Sequence, residues 1–329
     1  MGVVTRVVRF CVLLVPLLLL SCIFGSSINY PPKCGELCRY DFWETANVGR
    51  VEAELDSGVD INGAKGTEFN SPLHLAIRYG AEPELIELIL KRGADPNASG
   101  YGTLPSHHGY LPTSHRTPLQ MAIEQPNRPV AIIRLLLEYG ADPNPPTDYD
   151  FYDESPLFYA SRFWYKNDAQ IIELLLNYGA DVNARTVGGL TPLHRAAYEA
   201  DPETLQVLLA HGADIHARTH PDNARLGGSN TTVLHLAAES NINPDSIAIL
   251  LNHGADVNAR TYGGVTPLHN ASRYNSNPDV VLMLLLSGAD VNERDWDGST
   301  PLDWALMHGK NDEVVTLLKN WVAAENTDD

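Results

Sequence analysis

Twelve histidines and four cysteines are the residues best able to do chemistry in this chain of 329. His107, His108 and His115 cluster in one Gly-, Pro- and Ser-rich stretch, but no Cys or acid joins them at ligand spacing. Cys34 and Cys38 enclose three residues. A metal site would need a second Cys or His pair nearby, and a redox pair ordinarily encloses two residues rather than three. A structural disulfide around Gly35-Glu36-Leu37 is the favoured reading. Nucleophile motifs are absent: the chain has no Gly-x-Ser-x-Gly. No Gly-rich phosphate loop opens a helix, and Gly188-Gly189 and Gly263-Gly264 read as loop tips. No catalytic residue, metal or cofactor is therefore expected.

The charge balance narrows the partners. Acids outnumber bases 41 to 23, a net charge of −18. That opposes nucleic-acid binding, which rests on Lys and Arg neutralising phosphates, and opposes docking on an anionic membrane surface. A hydrophobic content of 44% with 19% charged residues fits a folded chain.

At the N-terminus Arg6 and Arg9 precede an eleven-residue apolar run, Phe10 to Leu20. A spanning helix needs about 20 residues, so the run reads as the core of a signal peptide over residues 1–21. Leu19-Leu20-Ser21-Cys22 then resembles the bacterial lipobox, which implies a lipid on Cys22 and a chain held at the periplasmic face of the envelope. The alternative is cleavage near Gly25-Ser26-Ser27 and a secreted protein. Cys11 leaves with the signal, and with Cys22 acylated, Cys34 and Cys38 remain as a pair.

The elements that must position any site come from a repeat. Ser71-Pro72-Leu73-His74 returns as Thr117-Pro118-Leu119-Gln120, Ser155-Pro156-Leu157-Phe158, Thr191-Pro192-Leu193-His194, Thr232-Val233-Leu234-His235, Thr266-Pro267-Leu268-His269 and Thr300-Pro301-Leu302-Asp303. About twenty residues later comes Gly-Ala-Asp-x-Asn, at 93–97, 140–144, 179–183, 254–258 and 288–292, with variants at 58–62 and 212–216. Ser or Thr before Pro predicts a helix cap followed by the first helical residue. Asp201-Pro202-Glu203, Asn243-Pro244-Asp245 and Asn277-Pro278-Asp279 predict a second start, and Glu82-Pro83-Glu84 a poorer one. Gly179, Gly254 and Gly288 should stop those helices, with Asp-x-Asn as the turn that follows.

These paired strings resemble the ankyrin repeat family over residues 41 to 320, which implies an all-α solenoid of stacked helix-turn-helix units joined by finger loops. The organisation expected is a signal at 1–21, a linker at 22–40 and a degenerate repeat at 41–64. Seven repeats at 70–320 follow, with insertions at 98–115 and 218–231, and then an acidic tail at 321–329. The resemblance makes His74, His194, His235 and His269 structural. It also implies a protein-binding concave surface, formed by first helices and fingers at positions the repeat leaves variable. Those positions hold Leu75, Arg78 and Tyr79; Tyr159, Arg162 and Phe163; Arg195 and Tyr198; Arg273 and Tyr274; and Trp304. Tyr262 and Trp296 occupy finger tips. Aromatics and Arg dominate interface hot spots. Phe163 and Trp304 are the two most open to a packing role instead.

The leading reading is a non-catalytic, monomeric scaffold of the cell envelope, lipid-anchored, binding a protein with a basic, partly apolar surface. A second is an exported effector or toxin-neutralising protein acting on another organism's protein. An enzyme is the third.

Overall fold

The computed structural model describes residues 34–63, 71–101, 115–127, 129–146, 155–162, 168–199, 201–220, 230–240, 243–308 and 311–325. The signal segment with Cys22, Phe163, and the finger residues His107 and His108 lie outside them.

Among the described residues sixteen α-helices form eight pairs. They are α1 (Tyr40–Trp43) with α2 (Val48–Asp56), α3 (Pro72–Arg78) with α4 (Pro83–Lys91), α5 (Pro118–Glu124) with α6 (Val130–Glu138), and α7 (Pro156–Ala160) with α8 (Asp168–Asn177). Then come α9 (Pro192–Glu199) with α10 (Pro202–Ala210), α11 (Val233–Ser240) with α12 (Pro244–Asn252), α13 (Pro267–Tyr274) with α14 (Pro278–Leu286), and α15 (Pro301–His308) with α16 (Asp312–Glu325). First helices pack on first helices of adjacent pairs, and second on second, giving a two-layered stack. One apolar core runs unbroken from Leu37 to Leu318.

The starts follow the residue grammar. Ser71, Thr117, Ser155 and Thr266 accept from the backbone N–H three residues on, at 3.5, 3.3, 3.1 and 3.4 Å. Such a cap is worth about 1 kcal/mol. Asp201, Asn243 and Asn277 cap the second helices at 3.2, 3.0 and 3.0 Å, whereas Glu82 makes no capping bond. Ala196, Ala197, Ala237 and Ala238 are fully buried where first helices approach each other. Gly179, Gly254 and Gly288 end their helices with φ of 88°, 90° and 89°.

Three features depart from the sequence expectation. The linker is structured from Cys34 onward: Cys34 and Cys38 are disulfide-bonded with Cα atoms 5.7 Å apart, around a single 3-10 turn. That turn buries Leu37 completely, and the Trp43 Nε1–H donates to the Leu37 carbonyl at 2.9 Å. The expected tail is helical to Glu325, because Trp321 and Val322 fall on the face of Leu318 and pack on the core. Finally, both insertions are pinched at their stems. Gly100–Tyr101 pairs antiparallel with His115–Arg116, and Arg218 bridges Thr232.

Candidate binding face

Two hydrogen-bonded ladders hold the units in register. Among the described residues, the Nδ1 atoms of His74, His194, His235 and His269 lie 2.7–2.9 Å from their cap hydroxyls. The backbone N–H of Thr191, Thr232 and Thr266 also donates to Nδ1, so Nε2 carries the proton. From Nε2 the rings of His74, His235 and His269 donate to Arg116 O, Val265 O and Ser299 O of the next unit, at 2.9, 3.0 and 3.0 Å. Burial pushes His74, His194 and His235 down to about 4 and lowers His269 as well. All four rings are neutral at pH 7.

The second ladder uses the Asn that ends the Gly-x-Asp-x-Asn strings, save Asn292, which donates to Glu325 Oε2. Asn97 Nδ2 donates to Gly140 O at 2.8 Å while its Oδ1 accepts from Asp142 N at 2.7 Å. Asn62, Asn144, Asn183 and Asn258 repeat this double clamp on the following unit. Sequence reasoning read these residues as turn formers alone. They are also the mortar between turns.

On this frame the variable positions of the first helices converge. Arg116 and Glu124 form an ion pair at 3.0 Å with side chains 8% and 5% exposed, so it is a buried pair. Arg116 Nη2 donates to Tyr159 Oη at 3.0 Å. The Arg116 and Arg162 guanidinium carbons stand 5.1 and 4.5 Å from the Tyr159 ring centroid. One unit further, Arg195 pairs with Glu199 at 2.6 Å and lies 5.9 Å from the Tyr198 ring. Ser240 Oγ donates to Tyr198 O at 2.7 Å, tying α11 to α9. Glu239 follows on α11, accepting from Asn270 Nδ2 at 3.5 Å; burial raises its pKa while Arg273 pulls it back. Arg273 covers the rings of Tyr274 and Trp304 at 4.7 and 5.2 Å.

The face is therefore a set of guanidinium–ring stacks separated by carboxylates. Tyr79 and Tyr274 are exposed, while Arg78, Tyr159, Arg162, Arg195, Tyr198, Arg273 and Trp304 are half-buried. Leu75 must be removed from it: this side chain is 2% exposed and belongs to the core. Its equivalents Met121, Leu236 and Asn270 are also buried, because the position lies in the seam between adjacent first helices. Trp304 keeps only part of its surface, since its Nε1–H donates to Asp295 Oδ2 at 2.8 Å and its ring meets His269 edge-on. Glu124, Glu199, Glu239 and Arg116 were missed. The signal was present in the alternation Arg78, Glu124, Arg162, Tyr198, Glu239, Arg273 at one repeat position.

The finger tips add an exposed edge. Tyr262 is 50% exposed and Trp296 78%. Trp296 N donates to Gly263 O at 2.9 Å, and a Cβ on Gly264 would lie 3.1 Å from its indole. His220 N donates likewise to Gly188 O at 3.0 Å. The Gly-Gly tips are thus seats for the next finger. Behind them Arg185, Arg218 and Arg260 each donate to the backbone carbonyl of the next arginine in the series, Arg218, Arg260 and Arg294, at 3.0, 3.0 and 2.9 Å. Among the described residues no three His, Cys, Asp or Glu side chains converge as a metal site, and no helix is long and apolar enough to cross a membrane.

Stacked helix pairs, joined by fingers and presenting variable side chains along one face, define a repeat solenoid of the protein-binding type. The family model for ankyrin repeats in groups of three copies matches residues 73–186, 147–219, 193–295 and 234–328. The chain belongs to the ankyrin repeat family, whose members are typically non-catalytic binding scaffolds. No curated protein matches it.

Proposed function

We propose that this protein is an exported scaffold, anchored at the cell envelope by a lipid on Cys22, that captures a protein partner along its concave face. The supporting observation is the set of partly exposed Tyr and Arg side chains on the first helices, Tyr159 and Arg162 by α7, Arg195 and Tyr198 on α9, and Arg273 and Tyr274 on α13, with Glu239 of the intervening α11 among them. Phe163 completes the series in sequence, and Tyr262 and Trp296 extend it onto the fingers. Truncating an interface anchor of this kind commonly costs about 2 kcal/mol, roughly thirtyfold in affinity. Tyr198→Ala with Tyr274→Ala should remove capture of the partner from envelope extract while leaving the melt nearly unchanged. Undiminished capture would place binding elsewhere. The anchor is tested separately: mass spectrometry of the mature N-terminus should find acylated Cys22, and an unmodified Ser26 or Ser27 terminus would refute it.

A further inference from the structure

The end of the stack opposite the fingers carries a groove that shares only Tyr79 with the concave face. It lies between the turn joining α1 to α2 and the turn joining α3 to α4, and encloses about 530 Å³. Trp43, Val48, Tyr79, Ala81 and Leu85 give it apolar walls, and Glu44, Glu82 and Glu84 stand around it.

The groove exists for a stated reason. At the last two junctions the corresponding turns are stitched together: Asn275 Nδ2 donates to Ala238 O at 3.0 Å, and Asn311 Nδ2 to Ser276 O at 2.9 Å. Counting from the helix caps, Gly80 occupies the place of Asn275, and a Cβ there would meet nothing within 4 Å. Glu82 occupies the place of Asn311. A carboxylate only accepts hydrogen bonds, so Glu82 cannot stitch to a neighbouring carbonyl, and it does not cap its own helix either. The turns therefore stand apart, with Val48 43% and Tyr79 38% exposed. Among the described residues no ion pair engages Glu44, Glu82 or Glu84.

We propose that this groove receives a lysine or arginine side chain with an apolar neighbour, carried by a partner polypeptide. Charge complementarity selects the occupant. Three carboxylates around an apolar trough match a cationic head on an aliphatic stem. The neighbouring apolar residue of the partner covers Val48 and Ala81.

The test uses the mature chain and the peptide acetyl-Gly-Leu-Arg-Leu-Gly-amide, titrated by calorimetry at low salt. Glu44→Gln, Glu82→Gln and Glu84→Gln together should weaken binding about tenfold. Removing the same charge elsewhere, through Glu173→Gln, Glu203→Gln and Glu313→Gln on second helices, should change it less than about twofold. Equal weakening by both sets would reduce the effect to net charge and overturn the proposal, as would no binding by the wild type. Should the triple variant fold poorly, Glu82→Asn alone serves: it supplies the missing stitch, so it should close the groove and abolish binding while the melt is held or raised. Retained binding in Glu82→Asn overturns the proposal. Tyr198→Ala with Tyr274→Ala should leave this peptide's affinity unchanged, which separates failure here from failure of the concave-face reading.

Discussion

Four buried imidazoles make the array acid-labile in a pH range where carboxylates alone would not. In the folded protein His74, His194 and His235 titrate at about 4, lowered by burial, against about 6.5 in the unfolded chain. The unfolded state then binds more protons between those values. Stability contributed by each ring is fully present above about pH 6.5 and is lost as pH falls toward the folded value. At pH 5 the loss is about 2 kcal/mol per ring, or about 6 kcal/mol for three, and His269 adds to it. That is comparable to the whole stability of an ordinary domain, about 5–15 kcal/mol. The geometry supplies the cause: protonating Nδ1 removes the acceptor for the cap hydroxyl and the cap N–H, in a site buried away from bulk solvent.

Urea unfolding followed by far-UV circular dichroism should show a flat profile from pH 8 to about 7, then a fall steepening toward pH 5. Near pH 5.25 each ring contributes a slope of about 1.2 kcal/mol per pH unit. The third helix pair already shows the replacement to use, because Gln120 forms the complete capping box with Thr117. His194→Gln with His235→Gln should therefore flatten the slope by about two protons while the array still folds. An unchanged slope in that variant, or a wild type equally stable at pH 7.5 and pH 5, would refute the reasoning.

His216 interrupts the asparagine ladder, standing where the string otherwise carries Asn. His216→Asn should restore two clamping hydrogen bonds onto the next unit and raise stability by about 1–2 kcal/mol, seen as a higher Tm. Gly264→Ala should lower stability by about 1–3 kcal/mol, because its φ of 73° disfavours any side chain and a Cβ would lie 3.2 Å from Asp295 Cα; an unchanged melt would mean the Trp296 finger yields freely. Cys34→Ser with Cys38→Ser should release Leu37 and expose Trp43, shifting tryptophan fluorescence, while far-UV dichroism of the array persists. A ring closed over a sequence separation of 4 restrains the unfolded chain little, so global unfolding of that variant would contradict the account.

The fold was legible because its signals are local and repeated. Ser-Pro or Thr-Pro followed by Leu marks a capped helix wherever it stands, and six such strings, with Thr232-Val233-Leu234 as a seventh copy, leave little room for another architecture. The site was legible only in part, for two physical reasons. Residue type predicts exposure poorly where adjacent helices pack tightly: Leu75 and Arg195 share a repeat position, yet one is core and the other half-exposed. Pairing across units was also hidden, because Arg116 precedes its helix while Glu124 ends it, and Tyr159 arrives one unit later. Reading one repeat at a time separates residues that the stack brings together. The Asn ladder escaped for the same reason, since its bonds span some thirty to forty-five positions.

These internal pairings bear on how a partner would meet the concave face. A long Arg side chain loses about 0.5–1.5 kcal/mol of freedom when an interface immobilises it. Here that ordering is already done within the monomer: Arg162 and Arg116 are stacked on Tyr159, Arg195 is held by Glu199, and Arg273 lies against two rings. The same carboxylates that immobilise the guanidiniums also offset their charge, so the face gains rigidity at the expense of electrostatic pull. Shape and ring contact, rather than long-range attraction, then decide what fits along α7 to α15. The open groove at the first two turns has the opposite balance. Its glutamates are uncommitted to any ion pair among the described residues, and its walls lack the stitch that closes later turns. The stack thus separates a pre-ordered, charge-balanced face from an acidic groove that a basic side chain would complete.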